Sequence, residues 1–461
     1  MRYLSVKKRK DLTVFIIFIS ILIIPSCAIV RLGTLGLNNA IPLNELEQRL
    51  SNVNDGETIF IKSGNYEDIN IKINRSFNSN VNIKAESPGS VILSGNSRFT
   101  FVSSNNVTLY GFMFESIPVR SPIVIANSSN IVIDNNFFKS CGSKPNDPII
   151  RIENQSSKNQ ITNNTFDDPR SICIALMSIP DRAGDRNIRD NLISFNYFVN
   201  TKAVGHYYPN ANNGMETIQL GQGSESTHSY EFQTTISKNL FENIVGDGGE
   251  IISVKTSRNK ILQNTFLNNN SGITIRYGDY NEVSSNYLNE TTRGIRLFGK
   301  GHRINNNYIV GGVVGIDMPN TDYLANEEMV QTGYFQQYDV VIKENVIQYS
   351  RINAIRIGGG RRKLPPDNLV FERNQIFVKN SDEDYFFANE TTQSRLNFVD
   401  NEVIVENGNL LNSQSVRAGN RMSLRDSKDI DINISKVTGI EQYQSNDLQV
   451  GASWKRPKIQ D

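Results

Sequence analysis

Residues 236–289 read ISKNLFENIVGDGGEIISVKTSRNKILQNTFLNNNSGITIRYGDYNEVSSNYLN, and the fold follows from this stretch. Within it an Asn is followed two positions later by a large apolar residue at Asn239/Phe241, Asn264/Phe266 and Asn286/Leu288. The pattern extends upstream to Asn136/Phe138, Asn164/Phe166 and Asn196/Phe198. Downstream it continues at Asn307/Ile309, Asn345/Ile347, Asn374/Ile376 and Asn401/Val403. Successive Asn residues are separated by 28, 32, 43, 25, 22, 21, 38, 29 and 27 positions. A period of roughly 20–30 residues with occasional insertions marks a solenoid. Between the corners lie short β runs such as Asn106–Leu109, Ile131–Ile133, Ile251–Val254, Gly272–Arg276 and Val340–Ile342, and long amphipathic helical patterns are almost absent after residue 60. The combination predicts an all-β parallel β-helix. Asn suits its corners because it tolerates left-handed backbone and its amide can stack on the next coil's amide. A propeller would show a period of about 40, and a leucine-rich repeat would show fixed Leu spacing.

The one helical stretch, residues 41–52, is expected to cap the open end of the coil stack, since a solenoid otherwise exposes its core there. One solenoid domain is expected over 28–440, with a loose tail over 441–461. At the amino terminus Arg2, Lys7, Lys8, Arg9 and Lys10 precede an apolar run of 13 residues, Leu12–Ile24, and then Pro25-Ser26-Cys27. The run is short for a membrane span, and residues 1–27 read as an export signal with a lipobox-like end. Lipidation at Cys27 would hold an exported bacterial envelope protein on a membrane without spanning it. An uncleaved anchor and an ordinary signal peptide are the alternatives, Pro25 being unusual in a lipobox.

The chain has 461 residues, with 48 Lys plus Arg against 47 Asp plus Glu and a net charge of +1. That balance argues against a nucleic-acid binder. A hydrophobic content of 38% argues against a polytopic membrane protein. Three cysteines are too few for a disulfide scaffold and lack metal-site spacing; Cys141 and Cys173 are expected as buried thiols, pairing being the alternative.

Strand alternation places functional groups on the outer face. In Ile252-Ser253-Val254-Lys255 the apolar residues turn inward and Lys255 outward. The same reading sends Arg276, Arg296 and Arg356 outward, with Gln219 upstream. Lys255, Arg276 and Arg296 fall one coil apart, so they are expected in one column about 4.8 Å apart per rung. Two like charges about 5 Å apart repel by about 1 kcal/mol in water and about 3 kcal/mol at an effective dielectric of 20. Nearby acids or a bound polyanion must offset this; the ligand expected is an extended polyanion lying along the stack, and export and near-neutral charge argue against DNA. The glycine-rich loop Gly358–Lys363 is expected beside it, as a cover or as a surface loop.

Several segments resemble polysaccharide lyase family 6, the alginate lyases and chondroitinase B-type lyases. They are residues 247–259 (Asp247-Gly248-Gly249-Glu250-Ile251-Ile252-Ser253-Val254-Lys255-Thr256-Ser257-Arg258-Asn259), Gly272–Gly278, Asn213–Ile218, Ile83–Gly95, Gly294–Leu297 and Gly301–Tyr308. The resemblance implies a right-handed parallel β-helix in the single-domain form. It also implies β-elimination across a 4-linked uronic acid, most simply in alginate, with dermatan sulfate as the alternative. Lys255 would be the base and Arg276 its partner. Tyr277 stands where the family carries His, and with Arg296 and Arg356 it is expected to face the substrate. Asn213 and Glu250 match calcium ligands, while Gly248 replaces a further Glu, so calcium is the implied cofactor with one ligand missing. A monomer is expected. Two other classes compete: a β-helix hydrolase, which would need clustered Asp near Lys255 and shows none, and a non-catalytic polysaccharide-binding lipoprotein.

Overall fold

In the computed structural model the asparagines of the repeat form one continuous ladder. Nδ2 of each donates to Oδ1 of the next, from Asn136 to Asn164 at 3.1 Å, through Asn264 to Asn286 at 3.0 Å, to Asn374 to Asn401 at 2.8 Å. The residue two places on supplies the core. Phe114, Phe138, Phe166, Phe198, Phe241 and Phe266 stack in a column with centroid separations of 4.6–5.0 Å. That is the rung spacing of a sheet, so one repeat unit satisfies both the polar corner and the packed interior.

The left-handed backbone does not fall on the ladder asparagines. It falls on the residue before each, whether Asn135 (φ 57°), Phe195 (φ 56°), Lys238 (φ 56°), Gln263 (φ 56°) or Arg373 (φ 49°). This corrects the expectation that the ladder residue itself makes the bend. The preceding residue takes the strain, which turns the Asn amide inward to its neighbours.

The structure describes residues 39–177, 188–201, 214–222, 227–246, 250–328, 333–378, 387–389, 394–405, 422–426 and 450–455. The export segment, Asn213 and Gly248 lie outside them. The chain divides into Met1–Asn39, almost all outside the described residues, and Ala40–Asp461, which holds the coil stack. Among the described residues three strands per coil build three parallel sheets of 13, 14 and 12 strands, beginning with Thr58–Ile61, Gly64–Glu67 and Asn70–Ile73. The architecture is a parallel β-helix, as the repeat predicts. A short 3-10 turn, Leu43–Glu45, leads into a helix, Leu46–Ser51. Leu43, Leu46 and Leu50 enter the main core. Arg75 Nη1 donates to the terminal carbonyls of Leu50 (3.0 Å) and Ser51 (2.9 Å), closing the helix end. Cys141 and Cys173 are buried free thiols, and burial pushes Cys141 up to about 12.

The expected loose tail is docked over 450–455. Val450 packs with Tyr197, Val199 and Leu240. Trp454 Nε1 donates to the Asn135 carbonyl at 3.1 Å, and its ring lies 5.7 Å from that of Phe137. The tail stays because its apolar residues cover an outward patch of the 14-stranded sheet that water would otherwise meet.

The ladder carries a stability prediction. Asn264 donates to the Ile236 carbonyl (3.0 Å) and to Asn286, and accepts from Asn239 N–H (3.1 Å) and Nδ2 (2.9 Å). In Asn264→Ala several buried groups lose partners at about 1–3 kcal/mol each. Urea denaturation should show a loss of about 3 kcal/mol or more; an unchanged midpoint would contradict a structural role for the ladder.

Candidate active site

The 12-stranded sheet carries the cations picked out by alternation. Its strands Ile218–Leu220, Glu250–Lys255, Gly272–Tyr277, Arg293–Leu297, Val314–Met318 and Asn353–Ile357 pair in sequence. The inward residues Ile218, Ile252, Ile273, Ile295, Ile316 and Ile355 form one column. Beside it runs an outward column of Gln219, Ser253, Thr274, Arg296, Asp317 and Arg356. The expected single column of Lys255, Arg276 and Arg296 is therefore corrected. An irregularity after Val254 pairs Lys255 with Tyr277 and leaves Arg276 as the extra residue. Arg296 pairs with Thr274, one pleat away.

Two buried carboxylates gather the three cations. Lys255 Nζ lies 3.1 Å from Glu216 Oε1, with both side chains nearly inaccessible. Arg276 Nη1 and Arg296 Nη2 lie 3.7 and 3.8 Å from Glu250 Oε1. Ser253 Oγ donates to Glu250 Oε2 at 2.5 Å. Burial works against the Arg276 charge, but the Glu250 carboxylate outweighs it and the guanidinium pKa is raised. Glu216 was not singled out from the sequence, although its segment Asn213–Ile218 was. The Thr217 N–H to Ile251 carbonyl bond (2.9 Å) continues the strand register and sets Glu216 beside Glu250 on adjacent rungs. Counting one coil back from Glu250 would have found it.

Two expected substrate contacts sit differently. Arg356 is matched by Asp317 in a two-point pair, Nε to Oδ1 at 2.8 Å and Nη2 to Oδ2 at 2.7 Å, so its charge is already compensated. Tyr277 is 2% exposed, and its ring lies 5.8 Å from that of Tyr334. It is paired with Lys255 in the sheet, but at that burial, beside the Tyr334 ring, it does not face an open groove. The loop Gly358–Lys363 is fastened at several points, among them Asn320 Nδ2 to the Arg362 carbonyl at 3.0 Å. Gly358 N–H donates to the Met318 carbonyl (2.8 Å), Asn320 N–H to the Gly359 carbonyl (3.0 Å), and Arg362 Nε to Asp322 Oδ2 (2.6 Å).

The turn after Arg276 is held from behind. Gly278 has φ +86°, and a Cβ there would meet the Thr256 backbone at 2.1 Å, so only glycine fits. Its N–H donates to His228 Nδ1 at 2.9 Å, which places the ring proton on Nε2, 3.2 Å from Asp279 Oδ2. Burial opposes the Asp279 charge, yet hydrogen bonds from His228 and the Lys300 N–H hold its carboxyl below the ordinary range.

A calcium site can be tested on the residues present. Among the described residues no three His, Cys, Asp or Glu converge on one point. However, Glu216 Oε2 is buried and has no hydrogen-bond partner there. A buried carboxylate oxygen without a donor fits a cation. Glu216 and Glu250 on adjacent rungs thus supply two carboxylates of the kind a calcium ion takes.

The chondroitinase B family model matches residues 41–449, and the chain belongs to that family of polysaccharide lyases. Comparison with curated protein sequences finds no match. Among solved structures it is similar to a mannuronic acid specific polysaccharide family 6 lyase from human gut microbiota, with a TM-score of 0.73 and 20% identity over 90% of this chain and 96% of that one. It is also similar to the family 6 polysaccharide lyase Pedsa3628 from Pseudopedobacter saltans, with a TM-score of 0.64 and 22% identity over 83% of this chain and 96% of that one. The family 6 alginate lyase AlyGC gives a TM-score of 0.69 and 18% identity over 91% of this chain and 58% of that one. At these identities the likeness speaks for the fold.

Proposed function

We propose that this chain cleaves a 4-linked uronic acid polymer, alginate first, by β-elimination with Lys255 as the base. The observation that carries the reading is the meeting of Lys255, Arg276 and Arg296 around Glu216 and Glu250 on one outer sheet face. The reaction removes the C5 proton beside a carboxylate, which adds charge to an anion, so positive groups must meet that carboxylate. Arg276 and Arg296 supply them. Lys255 takes the C5 proton once its ammonium has released a proton to water; the electron pair forms the C4–C5 double bond, the C4–O4 bond breaks, and O4 takes a proton. Glu216 orients the Lys255 nitrogen. Asn213, Glu216 and Glu250 would hold calcium, which when bound supplies further positive charge to the uronate carboxylate.

Of the fold neighbours above, AlyGC is an alginate lyase by name and another is mannuronic acid specific, which favours alginate. Dermatan sulfate is the second reading, favoured by the chondroitinase B family match. The basic and apolar amino-terminal segment with Cys27 supports an exported, lipid-anchored enzyme. The test is a panel of alginate, polymannuronate and dermatan sulfate, followed by absorbance of the unsaturated uronate, with and without a calcium chelator. Alginate is expected to give the chromophore, and chelation to slow it until calcium is restored. Product from dermatan sulfate alone would move the substrate, and a chelator-insensitive rate would remove calcium.

A further inference from the structure

Residues 227–230 belong to no strand, yet they bond to the ends of both strands that carry Lys255 and Arg276. Thr227 Oγ1 donates to the Lys255 carbonyl at 3.0 Å. The Ser257 N–H donates to the Tyr230 carbonyl at 2.7 Å, and Ser257 Oγ donates to the His228 carbonyl at 2.8 Å. His228 Nδ1 accepts from the Gly278 N–H at 2.9 Å. One short bracket therefore holds the chain just after Lys255 and just after Arg276.

The bond to Gly278 gains weight from the irregularity between the two strands. The extra residue of a bulge has no ladder partner of its own, so its flanks decide where it sits. Arg276 is that residue. Upstream, Ile275 is paired on both sides, with Val254 and Leu297. Downstream, Tyr277 pairs with Lys255, and the next N–H, that of Gly278, turns to the imidazole. A backbone N–H shut away from water needs an acceptor, and a side chain supplies this one.

The imidazole is fixed in turn. Its Nε2 lies 3.2 Å from Asp279 Oδ2, and its ring lies 4.1 Å from that of Phe335. Asp279 is anchored by the Lys300 N–H on Oδ1 (3.0 Å), and its own N–H donates to Ser257 Oγ (2.8 Å). The carboxylate thus takes the Nε2 proton and leaves Nδ1 as the acceptor. We propose that His228 is a positioning residue, whose Nδ1 fixes the turn after Arg276 and so keeps that guanidinium one rung from Lys255. It acts through the Gly278 N–H and not by contact with the sugar. The inference rests on the elimination reading.

Two substitutions separate the acceptor from the fold. In His228→Asn the amide oxygen falls where Nδ1 lies, so the acceptor for Gly278 stays and the reach to Asp279 is lost. In His228→Gln the amide falls at the distance of Nε2, so the bond to Asp279 stays and the acceptor for Gly278 is lost. On alginate, kcat should fall about 10²-fold in His228→Gln, as a misplacement of about 1 Å costs, and stay within about threefold in His228→Asn, with KM changing less than kcat in both. Melting temperatures should run the other way, because His228→Asn leaves the buried Asp279 without its ring donor. A histidine that only stabilises the fold would make rate follow melting temperature. Rates that follow melting temperature, a His228→Asn variant as slow as His228→Gln, a His228→Gln variant with full kcat, or one that does not fold would each overturn the role while the elimination reading stands. If the unmodified protein forms no unsaturated product from any uronate, the elimination reading fails and this proposal with it.

Discussion

Lys255→Ala is expected to abolish formation of unsaturated uronate, lowering the rate by about 10²–10⁴-fold, the range a positioned general base contributes. No other amine takes its place: among the described residues Lys255 is the lysine paired with Glu216 on the site face, and Arg276 and Arg296 remain cations. The substitution also removes the partner of a buried carboxylate. Among the described residues Glu216 Oε2 has no hydrogen bond, and Oε1 would lose its 3.1 Å contact with Lys255 Nζ. Leaving that acid unpaired costs about 1–3 kcal/mol or more, so a lower melting temperature is expected alongside the lost activity. The two effects separate in the double variant Lys255→Ala, Glu216→Gln, which removes the buried charge. Its stability should recover while its activity stays absent. Recovery of both would show that Lys255 organises the site without taking the proton.

The second large effect is expected at Glu250. Its Oε1 lies between Arg276 at 3.7 Å and Arg296 at 3.8 Å, and its Oε2 accepts from Ser253. In Glu250→Gln the two guanidiniums lose their shared counter-charge, and the new amide can direct N–H groups toward them. Arg276 should move off the position beside Lys255, and a displacement of about 1 Å costs on the order of 10²-fold in rate. Binding should suffer less, because both freed cations still attract an anionic polymer. The kinetic signature is therefore a fall in kcat of about 10²-fold with KM unchanged or lower. A KM that rises while kcat holds would place Glu250 in substrate binding alone.

The parts of this account that repeat were readable in the chain. Every coil must satisfy the same corner and fill the same core, so the Asn ladder and the Phe column recur at Asn136/Phe138, Asn239/Phe241 and Asn264/Phe266. Alternation likewise sent Lys255, Arg276 and Arg296 to one face. What alternation does not carry is register: one irregular residue after Val254 moved Arg276 out of the Lys255 column. Glu216 escaped notice because its partner is 39 residues away, across an insertion. Tyr334 lies on a segment that obeys no repeat, and Trp454 meets Asn135 across 319 residues, a contact that only the folded coil stack creates.

The central claim is elimination at the Lys255 site, and water enriched in the heavy oxygen isotope tests it most directly. Cleavage of alginate in that solvent, read by mass spectrometry, should give fragments ending in an unsaturated uronate with no heavy oxygen at the newly formed ends. Incorporation of the label, with saturated ends, would mean hydrolysis and would contradict the account.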